Sequence, residues 1–313
     1  MLYYILRRIL YVIPIAIGVS LIVFSLIHLA PGDPLAAVIG EADQRFLQEM
    51  RASFGMDKPL PLQYLHWVGR ALHGDLGVSL KSGEPVTHAV LPAARNTIAI
   101  GVLAALLGFS IGVLAGMLAG YNHGGWLDKL CSAFAISGVS MPTYWLSIIL
   151  VIVFSVELGW LPAMGIGTED NLFTWDNLSH MLLPVIALAA IPAAIVARTM
   201  RACVMEILSQ EFVEAQRAKG LSERRILWHV VKNALPTMLA VMGLQFAHLL
   251  GGSILVETVF SWPGTGYLMN IAIATRDIPL LQGVLLLLSM FFVVTNLLVD
   301  ILQTMVDPRF QRA

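Results

Sequence analysis

Charge is what this sequence has least of. Asp, Glu, Lys and Arg together make up 12% of its 313 residues, against 58% hydrophobic types. A soluble domain carries about 25% charged residues, so this chain lacks the polar groups to cover a water-facing surface. That excludes a single soluble enzyme domain. Disorder is excluded as well, because disordered chains are poor in hydrophobic residues. A net charge of -1 gives no electrostatic hold on a polyanion, so nucleic acid is not an expected partner. Only two cysteines occur, Cys131 and Cys203. Cys/His metal spacing is absent, and no metal site is expected. The dipeptide Gly-Lys never occurs, so there is no phosphate-binding G-x-x-x-x-G-K-[ST] loop. No H-E-x-x-H is present either.

What is present is a series of long charge-free stretches: 9–32, 96–127, 130–156, 181–197, 233–256 and 278–299. One charge at mid-bilayer costs roughly 2.5–3.5 kcal/mol, and a spanning helix needs about 20 apolar residues. Six membrane helices are therefore expected, making an all-α polytopic protein embedded in a lipid bilayer. The segment 181–197 is the shortest. Pro14, Pro142, Pro184 and Pro192 fall in or beside these stretches and predict kinks. Arg7-Arg8 followed by an apolar run has the shape of a signal peptide, but no small-x-small cleavage site follows, so an uncleaved first span is expected.

Orientation follows from the cations. With both termini in the cytoplasm, twelve of the nineteen Lys and Arg residues lie inside: Arg7, Arg8, Lys129, Arg198, Arg201, Arg217, Lys219, Arg224, Arg225, Lys232, Arg309 and Arg312. Six of the others lie in the long segment 33–95, which translocates regardless of charge. Both cysteines then face the reducing side, and no disulfide is expected. Three parts result: an N-terminus and first span over 1–32, an outer segment over 33–95, and a membrane core over 96–313. Within the outer segment, Arg45 to Phe54 reads as one short amphipathic helix. Pro59 to Leu72 reads as another, with Leu62, Leu65, Trp67 and Leu72 on its apolar side. The segment is expected to pack on the membrane surface or a partner, or to cap the helix bundle.

The cytoplasmic segment 198–232 is charged and helical in pattern, with Val204, Ile207, Leu208, Ile226, Leu227 and Val230 as apolar positions. Gly220 is placed to end one helix in the left-handed conformation, and Ser222 to cap the next with Glu223 in its first turn. Helix, tight turn, helix makes a knob suited to a groove on a soluble protein. A charged connector is the simpler alternative.

Within the spans, Gly108, Gly112, Gly116 and Gly120 recur every fourth residue and form one smooth helix face, for packing or for sliding of a neighbour. The G-x-S-x-G match at Gly108–Gly112 lies inside a helix stretch and lacks the strand-turn-helix context of a nucleophile elbow. Intramembrane polar residues are functional candidates. Ser140 and Tyr144 in the third span, and Gln245 and His248 three apart in the fifth, are candidates for lining a pathway. An interhelical hydrogen bond is the alternative for the last two. Glu257 at the outer end of the fifth span, and Asn296 and Asp300 near the inner end of the sixth, are placed for pairing or helix-end roles.

Glu214-Ala215-Gln216 followed by Gly220 resembles the EAA loop of ATP-binding-cassette importer permeases. The proline that usually closes the loop arrives late here, in Lys232-Asn233-Ala234-Leu235-Pro236, which is similar to the dipeptide, oligopeptide and nickel branch. Further stretches agree: His28-Leu29-Ala30-Pro31-Gly32-Asp33-Pro34, His73-Gly74-Asp75-Leu76-Gly77-Val78-Ser79, Glu257-Thr258-Val259-Phe260-Ser261-Trp262-Pro263-Gly264-Thr265-Gly266, Arg276-Asp277-Ile278-Pro279 and Asp307-Pro308-Arg309. The Gly-Asp-Pro and Gly-Asp-Leu-Gly-x-Ser elements resemble the "B" member of the two paired permease subunits. The resemblance covers nearly the whole chain in order.

That resemblance implies a type I importer permease fold of the bacterial inner membrane, with no enzymatic activity of its own. It implies a coupling helix, in a loop spanning about 204–233, that docks on an ATPase through Glu214, Ala215, Gln216, Arg217, Gly220 and Leu221. The implied partners are a second homologous permease subunit, two ATP-binding cassette subunits that hydrolyse the ATP, and an extracytoplasmic substrate-binding protein. The implied cargo is peptide, with nickel chelates, glutathione or sugars as alternatives. No cofactor is bound by the chain itself. An ion-coupled secondary transporter is the competing reading. It calls for mid-span carboxylates and internal repeats, and neither is visible.

Overall fold

The computed structural model describes residues 2–29, 58–168, 171–172 and 174–306. The expected helix at Arg45–Phe54 lies outside them. The described residues fold into helices: α1 (Leu2–Leu29), α2 (Leu60–Leu72), α3 (Val86–Tyr121), α4 (Trp126–Ser140), α5 (Thr143–Leu150), α6 (Trp175–Leu208), α7 (Glu211–Ala218), α8 (Glu223–Gly252), α9 (Ile254–Val259), α10 (Thr265–Thr275) and α11 (Ile278–Val306). A π-helical stretch, Val151–Glu157, continues α5.

Four of the six expected crossings are long apolar helices: α3, α6, α8 together with α9, and α11. The first, α1, has a shorter apolar part, Leu10–Ser25. The third stretch differs from the straight helix expected over 130–156. It is a pair, α4 and α5 with its π-helical extension, bent by 102°. The bend falls at Met141–Pro142, where the proline ring removes a helix hydrogen bond and disfavours the helical conformation of the residue before it. By contrast α6 runs as one helix of 34 residues through Pro184 and Pro192, well beyond 181–197 on both sides. Two prolines did not stop it because its small and apolar side chains are buried along nearly its whole length.

The core is built on α3 against α6. Gly108, Gly112, Gly116 and Gly120 are all buried. A Cβ at Gly108 would stand 2.8 Å from the Ala189 carbonyl, one at Gly112 2.7 Å from the Ala193 carbonyl, and one at Gly120 2.7 Å from Val204. At Gly116 it would collide with the Ala197 carbonyl and Met200. The glycine face therefore lets the two backbones touch, and the contact is packed. On the other flank Ala135 of α4 lies against Ala194 and Ala197. Toward one end, α3 and α6 share a cluster with Phe260 and Trp262. Toward the other, Val196, Met200 and Val204 continue into Val213, Ile226 and Val230.

The outer helix α2 docks differently from expectation. Tyr64 and Trp67 pack on Phe24 of α1, with ring centroids 5.6 and 6.1 Å away, and the Tyr64 hydroxyl lies 2.8 Å from that of Ser20. Leu62, Leu65 and Leu72, expected on the same apolar side as Trp67, are exposed. The aromatic pair wins because its phenol finds a polar partner on α1 as well as apolar area. Just after α2, Arg70 and the Gly77 N–H hold the Asp75 carboxyl below the usual carboxylate range. The pair is exposed and screened, so it adds little to stability.

Gly116→Leu is expected to lower the melting temperature of the detergent-purified chain sharply, since overpacking a tight contact costs about 1–3 kcal/mol. Gly18→Leu, where an added Cβ meets nothing within 4 Å, is the control and is expected to melt like the parent.

Candidate functional site: an exposed knob, a helix elbow and two carboxylate clamps

The segment 211–223 forms the expected helix, turn and helix. Its turn is a Schellman motif: Gly220 has φ +77°, its N–H bonds the Arg217 carbonyl at 2.9 Å, and the Leu221 N–H reaches back to the Gln216 carbonyl at 3.2 Å. Glycine is required there because a Cβ disfavours that conformation. Ser222 stands at the start of α8, but its hydroxyl accepts no capping bond from the helix N–H groups. Its neighbour Glu223 is drawn elsewhere. Glu223 accepts from Arg217 Nε at 3.1 Å and from the Tyr121 hydroxyl at the end of α3. The apolar underside of α7 is seated by Val213, fully buried among Val196, Met200, Val204, Ile226 and Val230. Glu214, Ala215, Arg217 and Gly220 are exposed, while Gln216 and Leu221 are half-buried. The knob is thus seated by Val213 with Phe212 and Leu221 packed beside it and tied by one ion pair, while Glu214, Ala215 and Gly220 stay open.

A second tie lies beside it. Arg201 of α6 grips Asp128 at the start of α4 with both ends of its guanidinium, Nε to Oδ1 at 2.5 Å and a terminal nitrogen to Oδ2 at 2.9 Å. The Gly124 N–H adds a bond at 3.0 Å, and His123 Nδ1 stands 3.2 Å from the same carboxylate. This bidentate pair fixes the α3–α4 loop to α6. Neither residue stood out in the sequence, where Arg201 counted only among the inside cations.

The four pathway candidates do not converge on one cluster. Ser140 and Tyr144 flank the α4–α5 bend and are both exposed. Gln245 and His248, expected on nearly one face, part company: Gln245 is only 8% exposed, whereas His248 is exposed and its Nδ1 lies 3.0 Å from the Leu244 carbonyl of its own helix. Three residues along a helix subtend about 300°, so the two side chains stand some 60° apart, enough to put one inside and one out. Asn296 is half-buried and donates to the Phe292 carbonyl of its own helix.

Two buried carboxylates organise the end of the bundle that lies opposite the knob along α3. Glu257, fully buried, accepts from the Thr97 hydroxyl of α3 at 2.8 Å and from the N–H groups of Gly266 and Tyr267 at 2.7 and 3.2 Å. These two N–H groups belong to the first turn of α10, so Glu257 caps that helix from outside it. Around it the Trp262 indole donates to the Asn96 carbonyl, and Asn96 donates to the Pro263 carbonyl. Cβ atoms at Gly264 or Gly266 would strike the Glu257 carboxylate. Asp277 plays the matching part for α11. It accepts from Ser79 at 2.5 Å and from the Leu80 and Lys81 N–H groups at 3.3 Å, and caps Leu280 at 3.2 Å. The helix-end role foreseen for Glu257 is thus exercised on a helix other than its own.

Glu257→Leu is expected to lower the melting temperature of the purified chain, because three buried donors lose their acceptor at about 1–3 kcal/mol each. Glu257→Gln keeps one acceptor and is expected to lose less; equal loss in both variants counts against the capping role.

Residues 112–312 match the family described as "Binding-protein-dependent transport system inner membrane component", and residues 1–100 match its N-terminal companion. A dipeptide transport system permease protein, DppB, from Alkalihalophilus pseudofirmus is 37% identical over 332 aligned residues, covering 99% of this chain and 100% of the relative. A glutathione transport system permease protein, GsiC, from Escherichia coli K12 is 38% identical, covering 98% of each. Among solved structures, the inward-facing MetNI methionine ABC transporter superimposes with a TM-score of 0.56 at 20% identity, covering 70% of this chain and 96% of that one. The last likeness shows fold alone. The chain belongs to the binding-protein-dependent transport system inner membrane component family, whose members are membrane parts of transport systems and not enzymes.

Proposed function

We propose that this chain is one of two permease subunits in an ATP-driven, binding-protein-dependent importer of the bacterial inner membrane. Peptides of the di- and oligopeptide class are its cargo. The observation that carries the reading is the α7 knob: a short helix closed by a Schellman glycine and seated by Val213, with Glu214, Ala215 and Gly220 exposed on its open face. An exposed face of that kind fits a groove on another protein. The relatives named for dipeptide and glutathione transport support the cargo class, since both substrates are peptides.

In this reading α1, α3, the α4–α5 pair, α6, α8 with α9, and α11 make six crossings, with both termini in the cytoplasm. A second homologous permease completes the pathway, two ATPase subunits bind and hydrolyse ATP, and an external binding protein delivers the peptide. Glu214, Ala215, Gln216, Arg217, Gly220 and Leu221 meet the ATPase. Closing of the ATPase dimer moves α7, and Val213 and the Glu223–Arg217–Tyr121 link pass that movement to α8 and α3. The spans then alternate between inward-open and outward-open. Ser140, Tyr144, Gln245 and His248 face or border the pathway.

A mild-detergent pull-down with mass spectrometry is expected to recover the sister permease, the ATPases and a binding protein carrying a peptide. Recovery of the chain alone, with transport intact in liposomes, overturns the reading in favour of an ion-coupled carrier. Gly220→Asp is expected to insert normally yet lose ATPase stimulation, because the turn excludes a side chain. Glu214→Lys is expected to weaken crosslinking to the ATPase by reversing charge on the open face. Unchanged crosslinking in that variant moves the contact elsewhere.

A further inference from the structure

Where α3, α4 and α6 converge, they leave a cavity of about 180 Å³ between them. Its lining is of two kinds. The polar part is Arg198 and Arg201 of α6 with Ser132 of α4. The apolar part includes Ala115 of α3, Ala135 and Ile136 of α4, and Ala197 of α6. Arg201 commits Nε and Nη2 to Asp128. Among the described residues no acceptor meets its Nη1, and Arg198 has neither a hydrogen bond nor an ion pair. Arg198 and Ile136 are exposed, so the cavity has an open side.

Two guanidinium groups stand here against the single carboxylate of Asp128, and no acidic side chain lines the cavity. One positive charge is left uncompensated. Its depth follows from the sequence. Arg198 is the first charge after the stretch 181–197, and Ser132 lies just beyond Lys129, inside the stretch 130–156. Ala115 lies six residues before the end of α3 at Tyr121, about 9 Å in at 1.5 Å per residue. The cavity therefore straddles the edge of the hydrocarbon and reaches into one leaflet, whose apolar half is about 15 Å thick.

Three small occupants compete for such a place. Water has room, but each buried water needs two to four polar partners, and alanine walls supply none. A free anion satisfies the arginines and leaves the apolar part empty, without dispersion contacts. A phospholipid answers both parts: its phosphate accepts the forked donors of a guanidinium, and its chain covers the alanines. The uncompensated charge selects a headgroup with net negative charge, since the ammonium of a zwitterion finds no carboxylate here.

We propose that this cavity binds one anionic phospholipid, with its phosphate diester between Arg198 and Arg201 and the start of an acyl chain over Ala115, Ala135 and Ile136. The proposal needs from the chain only its place in a bilayer, and it goes beyond the importer reading. The phosphate meets the same guanidinium that grips Asp128, so the lipid is a third member of the tie between α4 and α6.

The test uses the transporter co-purified with its partner subunits, in vesicles of phosphatidylcholine with a minor share of phosphatidylglycerol. Native mass spectrometry after mild extraction identifies the lipids that stay bound. Phosphatidylglycerol is expected roughly fivefold above its share of the bilayer, the factor for one cation at a membrane surface, about 1 kcal/mol. Arg198→Gln is expected to return it to that share. Lys129→Gln removes the same charge at the same edge, outside the cavity lining, and is expected to keep the enrichment. Equal loss in both variants, or no enrichment in the parent, overturns the proposal. A second measurement keeps both arginines. A benzophenone amino acid in place of Ile136, on the exposed rim, is photolysed in the same vesicles and is expected to yield a phosphatidylglycerol adduct. An adduct with another subunit makes the cavity a protein interface and overturns the proposal. Loss of the lipid adduct in excess inorganic phosphate makes it a free-anion site and overturns it as well. ATP-dependent dialanine uptake is followed in parallel. Uptake with no lipid enrichment defeats this site alone, and enrichment with uptake indifferent to ATP defeats the importer reading and leaves the site standing.

Discussion

Everything in this chain is arranged around the contact of α3 with α6. Four glycines at intervals of four bring two backbones together until a single added carbon collides with a carbonyl. In a bilayer the hydrophobic effect does not press helices together, because lipid tails are as apolar as leucine. Close approach and dispersion must supply the adhesion, and close approach demands small residues. The pair then serves as a mast. Alanines on its flank receive α4, its outer end carries the Trp262 cluster, and its inner end extends into the seat of Val213.

Features encoded in neighbouring residues were legible in advance. The glycine stripe is a four-residue repeat, and the Gly220 turn is a local motif whose hydrogen bonds span six residues. Charge-free stretches showed where the long helices lie, though not where they end. α3 begins at Val86 and carries Arg95, because helix continues past the edge of hydrocarbon. Features that depend on distant partners were not legible. Glu257 meets Thr97 across 160 residues and Asp277 meets Ser79 across 198, so no local pattern marks either clamp. The elbow was half-visible. Pro142 announced a disturbance, yet Pro184 and Pro192 announced the same and α6 ran on through both. What separates the cases is packing: α6 is buried around both prolines, while Met141 and Pro142 are exposed. Ser222 was read as a cap, but the structure favours the longer reach of Glu223 to two partners on other helices.

A helix of eight residues is too short to be stable alone in water. The knob holds its shape through buried Val213 with Phe212 and Leu221 packed beside it, a glycine-closed end and a bridge whose two charged members are about half exposed.

The two ends of α3 are fastened in different ways. At its Thr97 end the buried carboxylate of Glu257 binds backbone amides and a hydroxyl, shielded from dissolved ions. At its Tyr121 end the link to α7 runs through solvent-exposed charges that salt screens within a Debye length of about 8 Å. Ionic strength therefore acts on the seating of α7 and leaves the seating of α10 untouched.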